Sequence, residues 1–489
     1  MTSKAQDTTF LWHDYETFGA DPRRDRPCQF AAIRTDQDFN EIGEPQMFYC
    51  QPADDYLPHP QALLVTGITP QEASRHGLPE AEFAQRIQEL MSQPGTCSLG
   101  YNSLRFDDEV SRHLFYRNFF DPYAREWQNG NSRWDLIDLV RATYALRPEG
   151  INWPMKEEGV PSFRLEDLTA ANGIQHGDAA HDALADVRAT IALARLLKDK
   201  QPRLFDHLLQ LRSKHQVSPL LQLENPKPLL HISSRYPASR GCAALVLPLA
   251  KHPTNPNGVI VFDLSADPAP LADLTSEQLQ ERIFTPAAEL EAQGLARVPL
   301  KVVHINRCPV LLPAKAMEPH LANRVGMDLA VNEAHWQALV ALGDLTEKVQ
   351  AVFQPRTEGQ SQDPDLQLYS GPFFSNHDKQ LLAQIRASHP EEMGELQPGF
   401  EDPRLDEMLF RYRARNWPET LTSSERERWD EFRWQKMNSP QLSSLTLEGL
   451  QQELIQMSQQ PLDEQQMFLL QELQLYVESI LPLQFMEAY

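Results

Sequence analysis

Two carboxylates, Asp14 and Glu16, stand two residues apart at the end of the apolar run TFLW. Side chains alternate along a strand, so both would share one face at its carboxyl end, where α/β sheets bind ligands. Adjacent like charges repel unless a cation neutralises them, and oxygen ligands suit Mg²⁺ or Mn²⁺. A solvated strand end would show the same pattern, so the pair alone does not decide between the two readings.

Two later segments bring further acidic residues and a histidine. YNSLRFDDEV offers Asp107 and Asp108 after a predicted strand, at a helix start where capping would also favour acids. HDALADVRAT places His181 five residues before Asp186, with Asp182 as the expected N-cap of the helix. A surface His–Asp pair would give the same spacing.

The combination is more specific than any of its parts. Four carboxylates can hold two metal ions on a phosphodiester, and a histidine of near-neutral pKa can take a proton from water. The ordered set resembles the DEDDh family of 3′→5′ exonucleases. That resemblance assigns catalysis to Asp14, Glu16, Asp107, His181 and Asp186, and two Mg²⁺ ions, replaceable by Mn²⁺, to the four carboxylates. Only the family motif selects Asp107 over Asp108.

The elements that must position these residues belong to the first of three regions. Residues 1–200 alternate apolar runs such as TFLW, FAAI and SLGYN with amphipathic helical patterns, which predicts an α/β domain with a helix-covered sheet. Residues 201–354 contain short strand-like runs broken by Pro, Asn and Gly. Residues 355–365, PRTEGQSQDPD, are interpreted as a linker, and residues 366–489 as a helical domain.

Composition limits where the protein works and what it binds. The 489 residues carry a net charge of −23, although residues 201–350 are balanced, with 14 basic and 14 acidic residues. The five cysteines form no C-x-x-C pair, which favours free thiols in a reducing cytoplasm. The sequence shows neither a signal pattern nor an apolar run of about 18 residues, so no membrane association is expected.

The resemblance extends along the chain to bacterial exonuclease I, through segments such as HDYETFG, GYNSLRFDDEV, PSFRLEDLTAANGI, KVVHINRCPVL and YRARNWPETL. It implies an enzyme that degrades single-stranded DNA processively from the 3′ end, releasing mononucleotides, in DNA repair. The oligomeric state is open; a monomer is expected, because three domains in one chain do not require a partner subunit. The implied architecture is a ribonuclease H-like mixed sheet with flanking helices, an SH3-like β-barrel domain and an all-helical C-terminal domain.

Basic and aromatic residues interleave where a single strand would bind, since bases stack on aromatic rings while arginine contacts phosphate. Core packing is the alternative for Tyr123. By resemblance, the family's single-stranded DNA contacts fall at Arg112, Tyr123, Trp127 and Arg141. Arg164 falls where the family holds the terminal nucleotide, and Glu16 is a further substrate-binding position.

The family also binds the acidic C-terminal tail of single-stranded DNA-binding protein. Arg147 and Lys227 match its pocket, and basic side chains are what an acidic tail needs. The sequence departs from the family pattern at His207, Pro313 and Glu318, where an aromatic Tyr, a Gln and an Arg are usual. Glu318 would repel the tail, so the pocket is expected to be rearranged.

Two other functions use the same residues. A DEDDh exoribonuclease or a proofreading exonuclease would share all five catalytic positions, but such enzymes are usually compact single domains. A non-catalytic strand-binding protein with a relict nuclease fold would usually have lost a metal ligand first, and all five positions are filled here.

Overall fold

The computed structural model describes residues 8–175, 182–354 and 361–482. The chain divides into two compact units, which are described separately. Within the described residues, the first unit comprises 8–132, 182–188 and 361–482, and the second comprises 133–175 and 189–354. No helix in these ranges combines the length and hydropathy needed to cross a bilayer.

The first unit begins with a mixed sheet and its helices. Strand β1 pairs antiparallel with β2 and parallel with β4, giving the order β3-β2-β1-β4. Parallel pairing brings the carboxyl ends of β1 and β4 to one edge of the sheet. The elements are β1 (Thr9–Thr17), β2 (Pro27–Thr35), β3 (Gln46–Tyr49), α1 (Pro60–Thr66), α2 (Pro70–His76), α3 (Glu80–Met91), β4 (Thr96–Gly100) and α4 (Asp107–Arg117).

The next segment leads into the second unit, because β5 and α7 each begin in the first unit and continue into the second. The amphipathic patterns that predicted helices near residues 135 and 183 are confirmed as α5 and α7. The elements are β5 (Ser132–Asp135), α5 (Leu136–Leu146), β6 (Met155–Glu157), β7 (Val160–Pro161), α6 (Leu165–Ala171), α7 (Ala183–Lys200), α8 (Pro202–Gln210) and α9 (Lys214–Val217).

An antiparallel sheet, of order β11-β10-β9-β8-β12, organises the rest of the second unit. Helices α10 to α12 interrupt it between β10 and β11, which the strand-like runs did not predict. Their local signal is the capping box of Thr275 and Gln278 at the start of α11. The elements are β8 (Leu229–Ile232), β9 (Ala243–Lys251), β10 (Gly258–Asp263), α10 (Ala269–Asp273), α11 (Ser276–Phe284), α12 (Ala287–Ala292), β11 (Leu300–His304), β12 (Val310–Pro313), α13 (Pro319–Arg324), α14 (Leu329–Ala341) and α15 (Thr346–Val352).

The C-terminal helices belong to the first unit and share a core with its sheet. Phe18 and Leu63 pack in one apolar cluster with Met437, Leu447 and Leu473. The predicted helical pattern is confirmed, whereas the domain boundaries at 200, 354 and 365 remain a prediction. The elements are α16 (Asn376–Ala387), α17 (Arg404–Asn416), α18 (Ser423–Met437), α19 (Leu447–Ser458) and α20 (Glu464–Ile480).

A buried ionic cluster joins the two parts of this first unit. Asp55, fully buried, accepts from Lys436 Nζ at 2.7 Å and lies 2.9 Å from Arg415 Nη2. Arg415 also pairs with Asp365, which lies in the stretch interpreted as a linker. Burial alone would raise the pKa of Asp55, but Arg415, Lys436 and Arg26 hold that pKa well below its ordinary value. This charge is therefore retained inside the fold by its partners.

Removing the Asp55 charge should destabilise the protein far more than removing a surface charge. We expect Asp55→Asn to lower the free energy of unfolding by about 3–5 kcal/mol, because buried cations lose their partner. The matched control is Glu41→Gln, which breaks an exposed pair with Arg188 at 2.9 Å and should cost at most about 1 kcal/mol. Urea unfolding of the two variants measures both; equal losses would contradict this account.

Candidate active site

Strand β1 delivers Asp14 and Glu16 to the sheet edge. Opposite them on β2 are Ala31 and Gln29, and the register shifts just after Glu16. Both carboxylates are partly buried and share the face predicted from the D-x-E spacing.

Helix α7 supplies the third carboxylate. The Asp182 side chain accepts from Leu184 N at 3.3 Å, and its carbonyl accepts from Asp186 N at 3.1 Å, so Asp182 caps the helix as predicted. Asp186 thereby lies in the first turns of α7. One ligand oxygen from each of Asp14, Glu16 and Asp186 lies within 4.8 Å of the others. Residues 14 and 186 are thus brought together only by folding.

Helix α4 contributes Asp107 and Asp108, which face different neighbours. Asp107 is buried, and its Oδ1 accepts a hydrogen bond from Tyr15 N of β1 at 3.1 Å. Asp108 Oδ1 instead accepts from Arg125 Nη2 at 2.6 Å. The carboxylate facing β1 is therefore Asp107, the one selected by the family motif.

Electrostatics indicate that this cluster needs a cation. Burial, followed by the charges of Asp107, Glu16 and Asp186, raises the pKa of Asp14 well above its ordinary value. Burial, followed by Asp186, Asp107 and Asp182, raises the pKa of Glu16 to about 8. A divalent cation would relieve this repulsion, and carboxylate oxygens are the donors that hard cations prefer. The residues present therefore fit a metal centre.

The remaining member of the predicted catalytic set, His181, lies outside the described residues. Its placement is consequently known only as the residue that precedes Asp182 in the chain. The role assigned to His181 stays a prediction from the sequence.

The predicted DNA contacts of the first unit lie on α4 and in the segment that follows it. Trp127 is 66% exposed, whereas the Arg112 side chain is largely buried between Glu109 and Glu126. The Arg112 guanidinium lies 5.5 Å from the centroid of the partly buried Tyr123 ring. Trp127 thus offers a free aromatic face, and Arg112 is held by carboxylates of its own chain.

Two predicted contacts belong to the second unit. Arg141 is buried on α5 and donates to Asp138 Oδ1 at 2.6 Å. The Arg164 side chain is 63% exposed and lies 3.3 Å from Glu166. Arg164 is therefore the more accessible of the two cations.

The sequence did not reveal which distant residues contact Arg112 and Tyr123. Tyr369 accepts a hydrogen bond from Arg112 Nη1 at 3.1 Å and donates one to Glu109. Phe373, 83% exposed, lies 6.2 Å from the Tyr123 ring. The exposed aromatics of LYSGPFF were a visible signal, but their closeness to α4 depends on contacts across more than 250 residues.

The predicted partner-binding residues also lie in the second unit. Lys227 and Pro313 line a mainly apolar cavity of about 650 Å³ that also contains Lys315, Met317 and Trp336. Arg147 directly follows α5 and donates to Leu146 O. Of the other two departures, His207 Nε2 lies 3.5 Å from Leu311 O, and Glu318 directly precedes α13. Pro313, a predicted departure from the family pattern, thus lies in the wall of this cavity.

The mixed sheet and its acidic cluster define a metal-dependent exonuclease of the DEDDh type. Three family profiles cover most of the chain: "Exonuclease" over residues 11–194, "Exonuclease I SH3-like domain" over 212–355, and "Exonuclease I C-terminal domain" over 362–480. The order and type of these matches agree with the predicted fold class.

Whole-chain comparisons agree with these profiles. Exodeoxyribonuclease I of Escherichia coli K12 is 50% identical over 484 residues, which cover 98% of this chain and all of the relative. E. coli exonuclease I in complex with a dA16 oligonucleotide superposes with a TM-score of 0.91 at 50% identity, covering 97% of this chain and 100% of that one. An ExoI/SSB-Ct complex gives 0.89 at 49% identity, covering 98% and 100%. The chain belongs to the exonuclease I family.

Raised carboxyl pKa values make metal binding depend on pH. The folded pKa of Glu16 is about 8 against an ordinary 4.5, so its stabilising contribution is present below about pH 4.5 and is lost as pH rises through about 8. Bound Mg²⁺ requires the ionised carboxylates, so binding near pH 7 should release protons. We expect the increase in melting temperature caused by Mg²⁺ to grow between about pH 6 and about pH 9.

Differential scanning fluorimetry in EDTA and in Mg²⁺ measures this stabilisation. Calorimetry in two buffers of different ionisation enthalpy counts the released protons. Glu16→Gln is the control, because it removes one of the two cluster carboxyl groups with a raised pKa, and fewer protons should then be released. A Mg²⁺ effect that does not change with pH, with no proton released, would contradict the electrostatic account.

Proposed function

We propose that this protein hydrolyses single-stranded DNA processively from the 3′ end and releases 5′-mononucleotides, acting in DNA repair in the cytoplasm. The single observation that supports this most is the grouping of Asp14, Glu16 and Asp186 oxygens within 4.8 Å at the edge of the mixed sheet. Membership of the exonuclease I family selects single-stranded DNA among the substrates that such a site could cleave.

The proposed metal ligands are Asp14, Glu16, Asp107 and Asp186. Two Mg²⁺ ions, for which Mn²⁺ can substitute, would supply charge stabilisation at the scissile phosphate and activation of water. The carboxylates offset the charge of the ions, and Glu16 is also a proposed substrate contact. A ring nitrogen of His181 takes the proton as water oxygen bonds to phosphorus and the phosphorus–O3′ bond breaks.

The other proposed contacts bind and orient the strand. Trp127 stacks a base on its exposed face, with Tyr123 beside it, since every base offers a face for stacking. Arg112, Arg141 and Arg164 are proposed phosphate contacts, with Arg164 at the terminal nucleotide. For the buried Arg112, contact with phosphate requires exchange of a Glu109 or Glu126 partner.

The assay that tests this function uses a 5′-labelled single-stranded DNA oligomer, with Mg²⁺ or EDTA, beside matched duplex DNA and RNA. We expect Mg²⁺-dependent shortening of the single-stranded DNA from its 3′ end. Preference for RNA would indicate the exoribonuclease alternative, and tight binding without cleavage would indicate a binding protein. The same strand assay then separates the roles of individual residues.

Asp14→Asn and Asp186→Asn should abolish hydrolysis, because each removes an anionic metal ligand. His181→Ala should lower the rate by about 10²–10⁴-fold, because it removes the proton acceptor. Fluorescence anisotropy in EDTA should show strand affinity close to that of the unaltered protein for all three. Full activity of either aspartate variant would overturn the site assignment.

We further propose that the acidic C-terminal tail of single-stranded DNA-binding protein binds the second unit, through Lys227 and Arg147. The Lys227 cavity supports this, because apolar walls beside two lysines suit an acidic peptide with an apolar end. Pro313 in the wall and Glu318 nearby are expected to weaken the contact relative to the family pattern.

Tail binding should depend on Lys227 and on salt. We expect Lys227→Ala to weaken binding of a labelled tail peptide about fivefold or more at low salt, with smaller losses at high salt. Lys214→Ala is the control, since Lys214 is an exposed lysine of the same unit and should have no effect. Absence of measurable binding by the unaltered protein at low salt would remove this partner.

A further inference from the structure

Two ion pairs connect helix α4 to the loop that carries Tyr123 and Trp127. The loop supplies the cation of one pair and the anion of the other. Arg125 Nη2 donates to Asp108 Oδ1 at 2.6 Å. The neighbouring Glu126 accepts from Arg112 Nε at 2.8 Å and from Arg112 Nη2 at 3.2 Å. Asp108 and Arg112 are four residues apart, so they lie on one face of the helix. The loop is therefore fixed against two successive turns of α4.

The inner pair, Asp108–Arg125, is not explained by stability. The two side chains are 2% and 1% exposed. Within the described part of the chain, Arg125 Nε and Nη1 are buried with no hydrogen-bond partner. Buried N–H donors without an acceptor cost free energy of folding. Proteins in which apolar residues replace a buried ion pair are often as stable as the original or more stable. A buried arginine in a short surface loop therefore calls for another role.

That role follows from the position of Asp108 beside Asp107. Both belong to the first turn of α4, and successive helical residues point about 100° apart. Asp107 faces β1, where its Oδ1 accepts from Tyr15 N at 3.1 Å, while Asp108 faces the loop. The contact with Arg125 thus limits rotation of this turn, and with it the direction of the Asp107 carboxylate.

We propose that Arg125 is a positioning residue for hydrolysis, acting through Asp108. It holds the Asp107 carboxylate toward Asp14 and keeps Tyr123 and Trp127 at a fixed distance from the metal centre. This inference rests on the proposed function, in which Asp107 binds metal and Trp127 stacks a base. As a consequence, the base stacked on Trp127 and the phosphate that is cleaved stay a constant number of nucleotides apart.

The sharpest test replaces the pair by apolar residues. The double variant Asp108→Leu/Arg125→Leu should fold with a melting temperature near that of the unaltered protein, since it removes both charges of the pair together. Its affinity for Mn²⁺, measured by calorimetry without DNA, should fall about 10–100-fold, because the turn that carries the Asp107 carboxylate is no longer held. Its kcat on a short oligonucleotide should fall about as much, while strand affinity in EDTA changes less than about threefold.

Arg125→Lys provides a second measurement, because it keeps the charge and loses the planar fork. Its matched control is Arg117→Lys at the opposite end of α4, where Arg117 Nη2 lies 3.1 Å from Glu80 Oε2 and the side chains are 2% and 5% exposed. Both should lower the melting temperature, but only Arg125→Lys should weaken Mn²⁺ binding and lower kcat.

Two results would overturn the inference. One is Mn²⁺ affinity and kcat in the double variant within about twofold of the unaltered protein. The other is equal losses in Arg125→Lys and Arg117→Lys, which would make Arg125 a structural residue only. Failure of the proposed function is distinguishable, because the unaltered protein would then show no metal-dependent cleavage at all.

Discussion

Mutual repulsion among closely spaced, partly buried carboxylates is the constraint on which the rest of this structure depends. Asp14, Glu16 and Asp186 meet within 4.8 Å, and Asp107 adds its charge from the start of α4. No apolar core would gather four acids without a counter-charge. The sheet edge, the capped start of α7 and the first turn of α4 are therefore understood as parts that keep a cation site open.

Holding such a site needs rigidity from elsewhere in the fold. In the first unit, rigidity comes from two buried sets of ion pairs: Asp55 with Arg415 and Lys436, and Asp108, the neighbour of Asp107, with Arg125. The C-terminal helices pack into the same apolar core as the nuclease sheet. Burial of paired charges costs free energy but sets geometry, which is what a metal centre and an adjacent stacking surface both require.

Comparison with the sequence shows which physical signals are local. Strands β1, β2 and β4 and helices α4, α5 and α7 followed from apolar periodicity, and the Asp182 cap from its side-chain chemistry. Helices α10 to α12 were missed because strand-like runs on both sides dominated the pattern. Asp365 lies in the stretch interpreted as a linker, yet its side chain is buried and forms an ion pair with Arg415, 50 residues away in the chain.

The sequence alone determined the kind of chemistry: the spacing of Asp14 and Glu16 places both on one face, and the ordered acids and histidine resemble a single class of nuclease. It could not decide which of Asp107 and Asp108 faces β1, nor that Arg112 is held by Glu109 and Glu126. Periodicity is set by neighbouring residues, whereas the direction of a side chain depends on partners that only folding brings near. Tertiary structure alone therefore paired Asp108 with Arg125 and turned Asp107 toward β1.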